Sequence, residues 1–210
     1  MEVFVDGNRV DDQAAGTGTL KDALMQVQSS LGAPDHIVVG IRCDGNDIVG
    51  DSMAATLEQP AASFERVELF TSTRETLVID AMSQASTSLQ ETETACEQVV
   101  EQLSAGKTTE AVQTLGQCLK TWQQVHDAVG KSIQILQLDV EHTTINDRPM
   151  LEVISQPKQT LLQIKQALQA QDHVLLADIL QYELSDVTDH WFALIAHLRE
   201  EAEQRRQRTE

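Results

Sequence analysis

Aromatic residues make up only 3 % of this 210-residue sequence. A chain so poor in Phe, Tyr and Trp has to fill its core with Leu, Val, Ile and Ala, which suits helix packing better than a β-sandwich. Cations are scarce too: 15 Lys and Arg stand against 33 Asp and Glu, for a formal charge of −18. Binding a polyanion needs a basic stripe, and there is none, which argues against nucleic acid and anionic membrane as partners and for a basic or apolar protein surface. The one basic cluster, Arg199, Arg205, Arg206 and Arg208, alternates with Glu200, Glu201 and Glu203 and reads as cations matched to a helix C-terminus.

Cysteine is equally sparse. Cys43, Cys96 and Cys118 are odd in number and far apart, without CxxC or Cys/His metal spacing. They read as small core residues in a reducing compartment rather than as a disulfide framework. No apolar run approaches the roughly 18 residues of a membrane span, and the start, MEVFVDGNRV, has neither a basic n-region nor an apolar h-region. The expectation is a cytoplasmic protein.

Catalytic signatures are missing as well. There is no Gly-x-Ser-x-Gly. Gly16-Thr17-Gly18-Thr19-Leu20-Lys21 lacks the spacing that wraps phosphates and reads as a flexible loop before a helix. Asp44 beside Cys43 raises that thiol's pKa and opposes reactivity. The reading is a non-enzymatic protein with no cofactor.

What is present falls into two parts, residues 1–72 and 73–210. In the first, Met1–Val5 alternates, Asp6-Gly7-Asn8 turns, and Arg9-Val10 returns as a hairpin. Thr19 and Asp22 form a capping-box pattern before a helix with Leu20, Ala23, Leu24, Val27 and Leu31 on one face, stopped at Gly32-Ala33-Pro34. His36–Cys43 is apolar nearly throughout, as a central strand should be. Asp44–Asp47 turns the chain and Ile48-Val49 offers a short return strand. Residues 64–70 alternate cleanly as a last strand.

That order resembles the β-grasp, or ubiquitin-like, fold. VVGIRCDGNDIV and FERVELF resemble the middle and last strands of the small sulfur carriers of thiamine and molybdopterin synthesis. Those carriers end in an exposed Gly-Gly, whereas Phe70 here runs on into Thr71-Ser72-Thr73-Arg74. The resemblance therefore implies the fold and a docking surface, and not the carrier activity.

The second part predicts an antiparallel bundle of about four long helices, so the class is α+β. Leu77, Ala81, Ala85, Leu89, Cys96, Val99 and Leu103 mark the first helix, capped by Thr73 and ended by Gly106. Ala111, Leu115, Cys118, Trp122, Val125, Val129, Ile133 and Leu136 mark the second. A short join forces the two into a hairpin. After a break at residues 142–147, Met150, Val153, Ile154, Leu161, Ile164 and Leu168 mark the third, which Pro157 should kink or split. Gln171-Asp172 turns into a fourth with Leu176, Leu180, Leu184, Val187, Trp191, Leu194, Ile195 and Leu198 inward. The near-heptad period also fits a homo-oligomer. LSAGKTTEAVQTLGQCL and LLADILQYELSDVTDHWFALIAHL resemble segments of the flagellin-export chaperones. That likeness implies a partner protein.

Three candidate sites follow. Tyr182, Trp191 and Phe192 concentrate aromatics on one helix of an aromatic-poor chain, and aromatics anchor interfaces, so they form the possible interaction surface. The competing reading packs Trp191 and Phe192 in a wide core stripe. Glu183, Asp186, Asp189 and His190 form the densest polar cluster, with His197 seven residues beyond His190. Asp186, His190 and His197 could bind metal, but no Glu-x-x-His is present and a solvated face is the better reading. His126 reads as a packing residue. The conclusion at this level is an adaptor, chaperone or assembly factor. The alternatives are a metal- or ligand-binding bundle and a structural oligomer.

Overall fold

The computed structural model describes residues 1–10, 18–30, 36–50 and 52–209. Leu31, the stop at Gly32-Ala33-Pro34 and the loop residues Gly16 and Thr17 lie outside them. The chain is α+β and divides into two compact units, Met1–Arg74 and Glu75–Glu210.

The first unit is a mixed sheet with a helix on one face. Its strands are β1 (Glu2–Val5), β2 (Asn8–Val10), β3 (His36–Cys43), β4 (Asn46–Asp47) and β5 (Arg66–Thr73), in the spatial order β2-β1-β5-β3-β4. β1 and β5 run parallel at the centre, and the other pairs are antiparallel. Helix α1 (Leu20–Ser30) begins with the expected capping box: the Thr19 amide donates to Asp22 Oδ2 at 3.0 Å and the Asp22 amide to Thr19 Oγ1 at 3.3 Å. The Thr19 amide, and the Thr19 hydroxyl, which donates to Asp22 Oδ2 at 2.8 Å, hold the Asp22 carboxyl below its ordinary value. Leu20 and Val27 pack on Val3, Val5, Ile41, Cys43, Val67 and Leu69, the inward half of each strand's alternation.

Both tight turns are Asp-Gly pairs with left-handed backbone, Asp6 (φ 49°) with Gly7 (φ 80°) and Asp44 (φ 49°) with Gly45 (φ 83°), the geometry that matches strand twist in a two-residue hairpin. Their carboxylates do a second job. Asp6 accepts from the Thr71 amide at 2.8 Å and the Thr71 hydroxyl at 2.5 Å. Asp44 Oδ1 accepts from the amides of Glu65 and Arg66 at 3.0 and 2.8 Å. The two turns thus hold β5 at both ends.

Two expectations need correction. β3 is not buried throughout: only Ile41 and Cys43 are, and Val39 is exposed. β4 pairs with it only at Arg42 and Cys43, so among the described residues the rest of β3 is an edge, and its register shifts between Val38 and Gly40. The return strand is Asn46–Asp47 rather than Ile48-Val49. A short helix α2 (Ser52–Leu57) and a 3-10 turn (Ala61–Ser63) occupy the polar stretch before β5.

In the second unit, four long helical runs are found among the described residues. α3 (Arg74–Ser104) and α4 (Thr108–Leu136) are joined through Gly106, whose φ of 74° suits glycine. Cys96 and Cys118, similarly far from that turn, are buried in one core and lie close enough to shift each other's thiol pKa, so the two helices fold back into a hairpin. The break after α4 holds an unforeseen miniature hairpin, β6 (Thr144–Ile145) and β7 (Arg148–Pro149). Asn146 and Asp147 turn it at positive φ, and Ile145 is buried. α5 (Met150–Ala170) follows and is not split by Pro157. Asp172 then caps α6 (His173–Asp178), its carboxylate accepting from the Leu175 amide at 2.9 Å. A π-helical turn, Ile179–Glu183, carries the chain into α7 (Leu184–Thr209). One core joins the four runs, with Trp122, Trp191, Met82, Leu89, Leu115 and Ile164 almost fully buried. The basic end of α7 is used internally: Arg199 pairs with Glu203, Arg205 with Glu201, and Arg205 Nη1 donates to the carbonyl of Leu136, the last residue of α4. No described helix is long and apolar enough to cross a membrane.

Candidate functional site

Two depressions mark the helical unit. The larger is an apolar groove of about 820 Å³ between α4 and α5. α4 contributes Leu119, Trp122 and His126, spaced at three and four residues and hence on one face. α5 contributes Ile154, Pro157, Leu161, Ile164 and Leu168 in the same rhythm. Trp122, Pro157 and Ile164 are buried and form the floor, and Leu119, Ile154, Leu161 and Leu168 are half-buried along the walls. The exposed lining residues Gln123, Lys158, Lys165 and Gln169 make the rim. A volume of this size falls in the range of ligand-binding pockets.

The smaller depression, about 290 Å³, lies where α3 meets the π-helical turn and the start of α7. Its character is opposite. Glu93, Glu97 and Glu101 line it from α3, four residues apart, with Gln181, Ser185 and Thr188 across from them. Burial, with Asp189 and Glu97 close by, pushes the Glu93 carboxyl above its ordinary value. The Thr92 and Thr188 hydroxyls are satisfied by the carbonyls of Ser88 and Leu184 in their own helices.

The aromatic trio separates. Tyr182, in the π-helical turn, is 63 % exposed. Phe192 is half-buried against the core. Trp191 is fully buried, so it does not belong to any surface: its indole packs edge-on against Trp122 at 5.3 Å, and its N–H donates to the Val153 carbonyl at 3.0 Å. His126 is exposed rather than packed inside, and its ring stacks on Trp191 at 5.7 Å. Asp186 and Asp189 are exposed, and His190 and His197 half-buried. Among the described residues no three His, Cys, Asp or Glu side chains converge as a metal site would require. All three cysteines are buried. Burial, then the neighbouring Asp44, raises the Cys43 thiol, and the neighbouring Cys118 thiol together with burial raises Cys96.

With that geometry in place, comparison with known families gives a boundary and a family. The model of a domain of unknown function, DUF8042, matches residues 80–193, more than half of the sequence. The chain belongs to the DUF8042 family. A second model, the TP0873 N-terminal domain, matches residues 1–73, which is the sheet unit almost to its last residue. No curated protein and no solved structure matches the chain. The lining of both depressions falls inside the DUF8042 region, so the groove and the cleft are features of that domain alone.

Sequence reading missed the groove. Leu161 and Leu168 count as core by periodicity and Leu119 lies beside the stripe of α4, and only the spacing of α4 from α5 leaves them half-covered. Pro157, placed among them, was the available signal.

Proposed function

We propose that this protein is a non-enzymatic interaction protein, an adaptor, chaperone or assembly factor, whose helical unit receives an apolar segment of a partner protein. The observation that carries the reading is the α4–α5 groove: a long trough with aliphatic walls and the buried Trp122 as floor, beside a core that is already well packed. Grooves of this form are a recurring way to bind a peptide segment. The first unit supports the reading as a second docking module. Its strand order, with β1 and β5 parallel at the centre and α1 on one face, supports the β-grasp reading. The other sheet face carries Phe4 beneath the Arg66 guanidinium at 3.9 Å and Phe70 beneath that of Arg42 at 5.2 Å. Phe and Arg are residues that interfaces favour.

The test is photo-crosslinking in cells from a benzophenone amino acid in place of Gln169 on the rim. A discrete partner band is expected, and it should vanish when Leu161→Glu is added. On the likeness to flagellin-export chaperones, flagellin is the first candidate to probe. No band, or a band indifferent to Leu161→Glu, would count against groove docking.

A further inference from the structure

We propose that the occupant of the groove is an acidic amphipathic helix, its apolar face on Trp122, Ile154, Leu161 and Leu168 and its carboxylates against Lys158 and Lys165. This rests on the reading of the groove as a protein-docking site and adds the chemistry of the docked segment. Charge selects it first. None of the described residues lining the groove is Asp or Glu, although the chain has 33 acids and 15 bases. The cleft on α3, by contrast, is lined by three glutamates. The groove is therefore where an acidic segment escapes the repulsion that the rest of this chain imposes.

Position selects it next. Lys158 and Lys165 are seven residues apart on α5, so they stand on one side of the helix about 10 Å from each other. Both are exposed, and neither has an ion pair among the described residues. Carboxylates seven residues apart on an apposed helix would meet them in step. Form selects a helix over a lipid tail. The walls are two helical stripes with spacings of three and four, which the ridges of a third helix fill. The trough is open along one side, so its occupant keeps a wet flank, as an amphipathic helix does and an aliphatic chain does not. From Ile154 to Leu168 the α5 side of the trough is about 21 Å long, which accommodates roughly four helical turns.

The experiment uses the full chain and three dye-labelled synthetic peptides of about 18 residues, titrated by fluorescence anisotropy. One has a Leu stripe at helical spacing flanked by Glu. The second has Lys for every Glu. The third scrambles the first so that the stripe is lost. The acidic helix should bind about tenfold or more tightly than the basic one, with no measurable binding of the scrambled peptide. In the K158E/K165E variant the preference should invert, an outcome that misfolding cannot produce. Equal affinity for both helices, or an unchanged preference in the variant, overturns the proposal. Oleate binding without peptide binding overturns it in favour of a lipid. Concentration-dependent dimerisation abolished by Leu161→Glu overturns it in favour of a second copy. If crosslinking from position 169 captures a protein that only the basic peptide displaces, groove docking stands and the acidic helix falls. If nothing is captured and no peptide binds, both fall.

Discussion

The indole N–H of Trp191 donates to the carbonyl oxygen of Val153, at 3.0 Å. That oxygen would ordinarily accept from the amide four residues on, but the residue there is Pro157, which has no N–H. A tryptophan of α7 thus satisfies the buried acceptor that a proline inside α5 leaves open, and α5 runs through unsplit. Trp191→Phe should cost about 2–4 kcal/mol in urea unfolding, from lost packing and an unpaired carbonyl. Pro157→Ala restores an amide that can reach Val153. The cost of Trp191→Phe in that background should fall by about 1 kcal/mol. Strict additivity of the two changes would mean that packing alone holds the indole.

The turn aspartates give a second prediction. Asp6 and Asp44 each place a carboxylate on β5, two hydrogen bonds apiece. Asp44→Ala removes both its bonds and also a residue suited to left-handed backbone, and should cost about 1–3 kcal/mol. Asp44→Asn keeps the turn geometry and one acceptor and should cost less. The readout is the amide exchange of β5. Unchanged protection at Glu65 and Arg66 in the alanine variant would show that the ladder alone positions the strand.

Most of the architecture is legible because helical period and turn chemistry act locally. The second helix is the clearest case: Leu115, Cys118, Trp122, Val125 and Val129 are all buried as the stripe requires. On α3 the phase slips at the start, where Val78 and Met82 are buried instead of Leu77 and Ala81. Leu77-Val78-Ile79 are three apolar residues in a row, so period alone leaves the inward one open. β3 reads as central because it is apolar, yet how many residues pair on its far side depends on β4, which the residues of β3 do not encode. The groove is the extreme case, since a wall residue and a core residue share composition and spacing. They differ only in what stands opposite them. Trp191 fails as a surface residue for a related reason: its acceptor lies 38 positions away.

Thiol chemistry offers a third prediction. Cys43, Cys96 and Cys118 are each at most 5 % exposed, and both Cys43 and Cys96 have raised pKa values. Only the thiolate reacts with a disulfide reagent. The native protein should show essentially no fast thiol with Ellman's reagent at pH 8, and all three should react on denaturation. A fast native thiol that disappears in Cys118→Ser would place that sulfur in solvent and displace it from the core.

The cleft on α3 supplies a pH dependence whose sign is fixed by Glu93. Burial, Asp189 and Glu97 all raise its folded pKa above the ordinary value of 4.5. Between the unfolded and the folded pKa, the folded state holds more protons than the unfolded one, so stability falls as pH rises through that window. Below it the carboxyl is protonated in both states and contributes nothing. Above it the ionised form carries a constant penalty from burial and its like-charged neighbours. Glu93→Gln should therefore raise the melting temperature at pH 7–8 and leave it unchanged below about pH 4. Asp189→Asn should produce part of the same gain, and little further gain once Glu93 is already Gln, because the repulsion it relieves is shared. The measurement is a pair of thermal scans at each pH. A gain from Glu93→Gln that persists at low pH would assign the effect to packing of the amide rather than to charge.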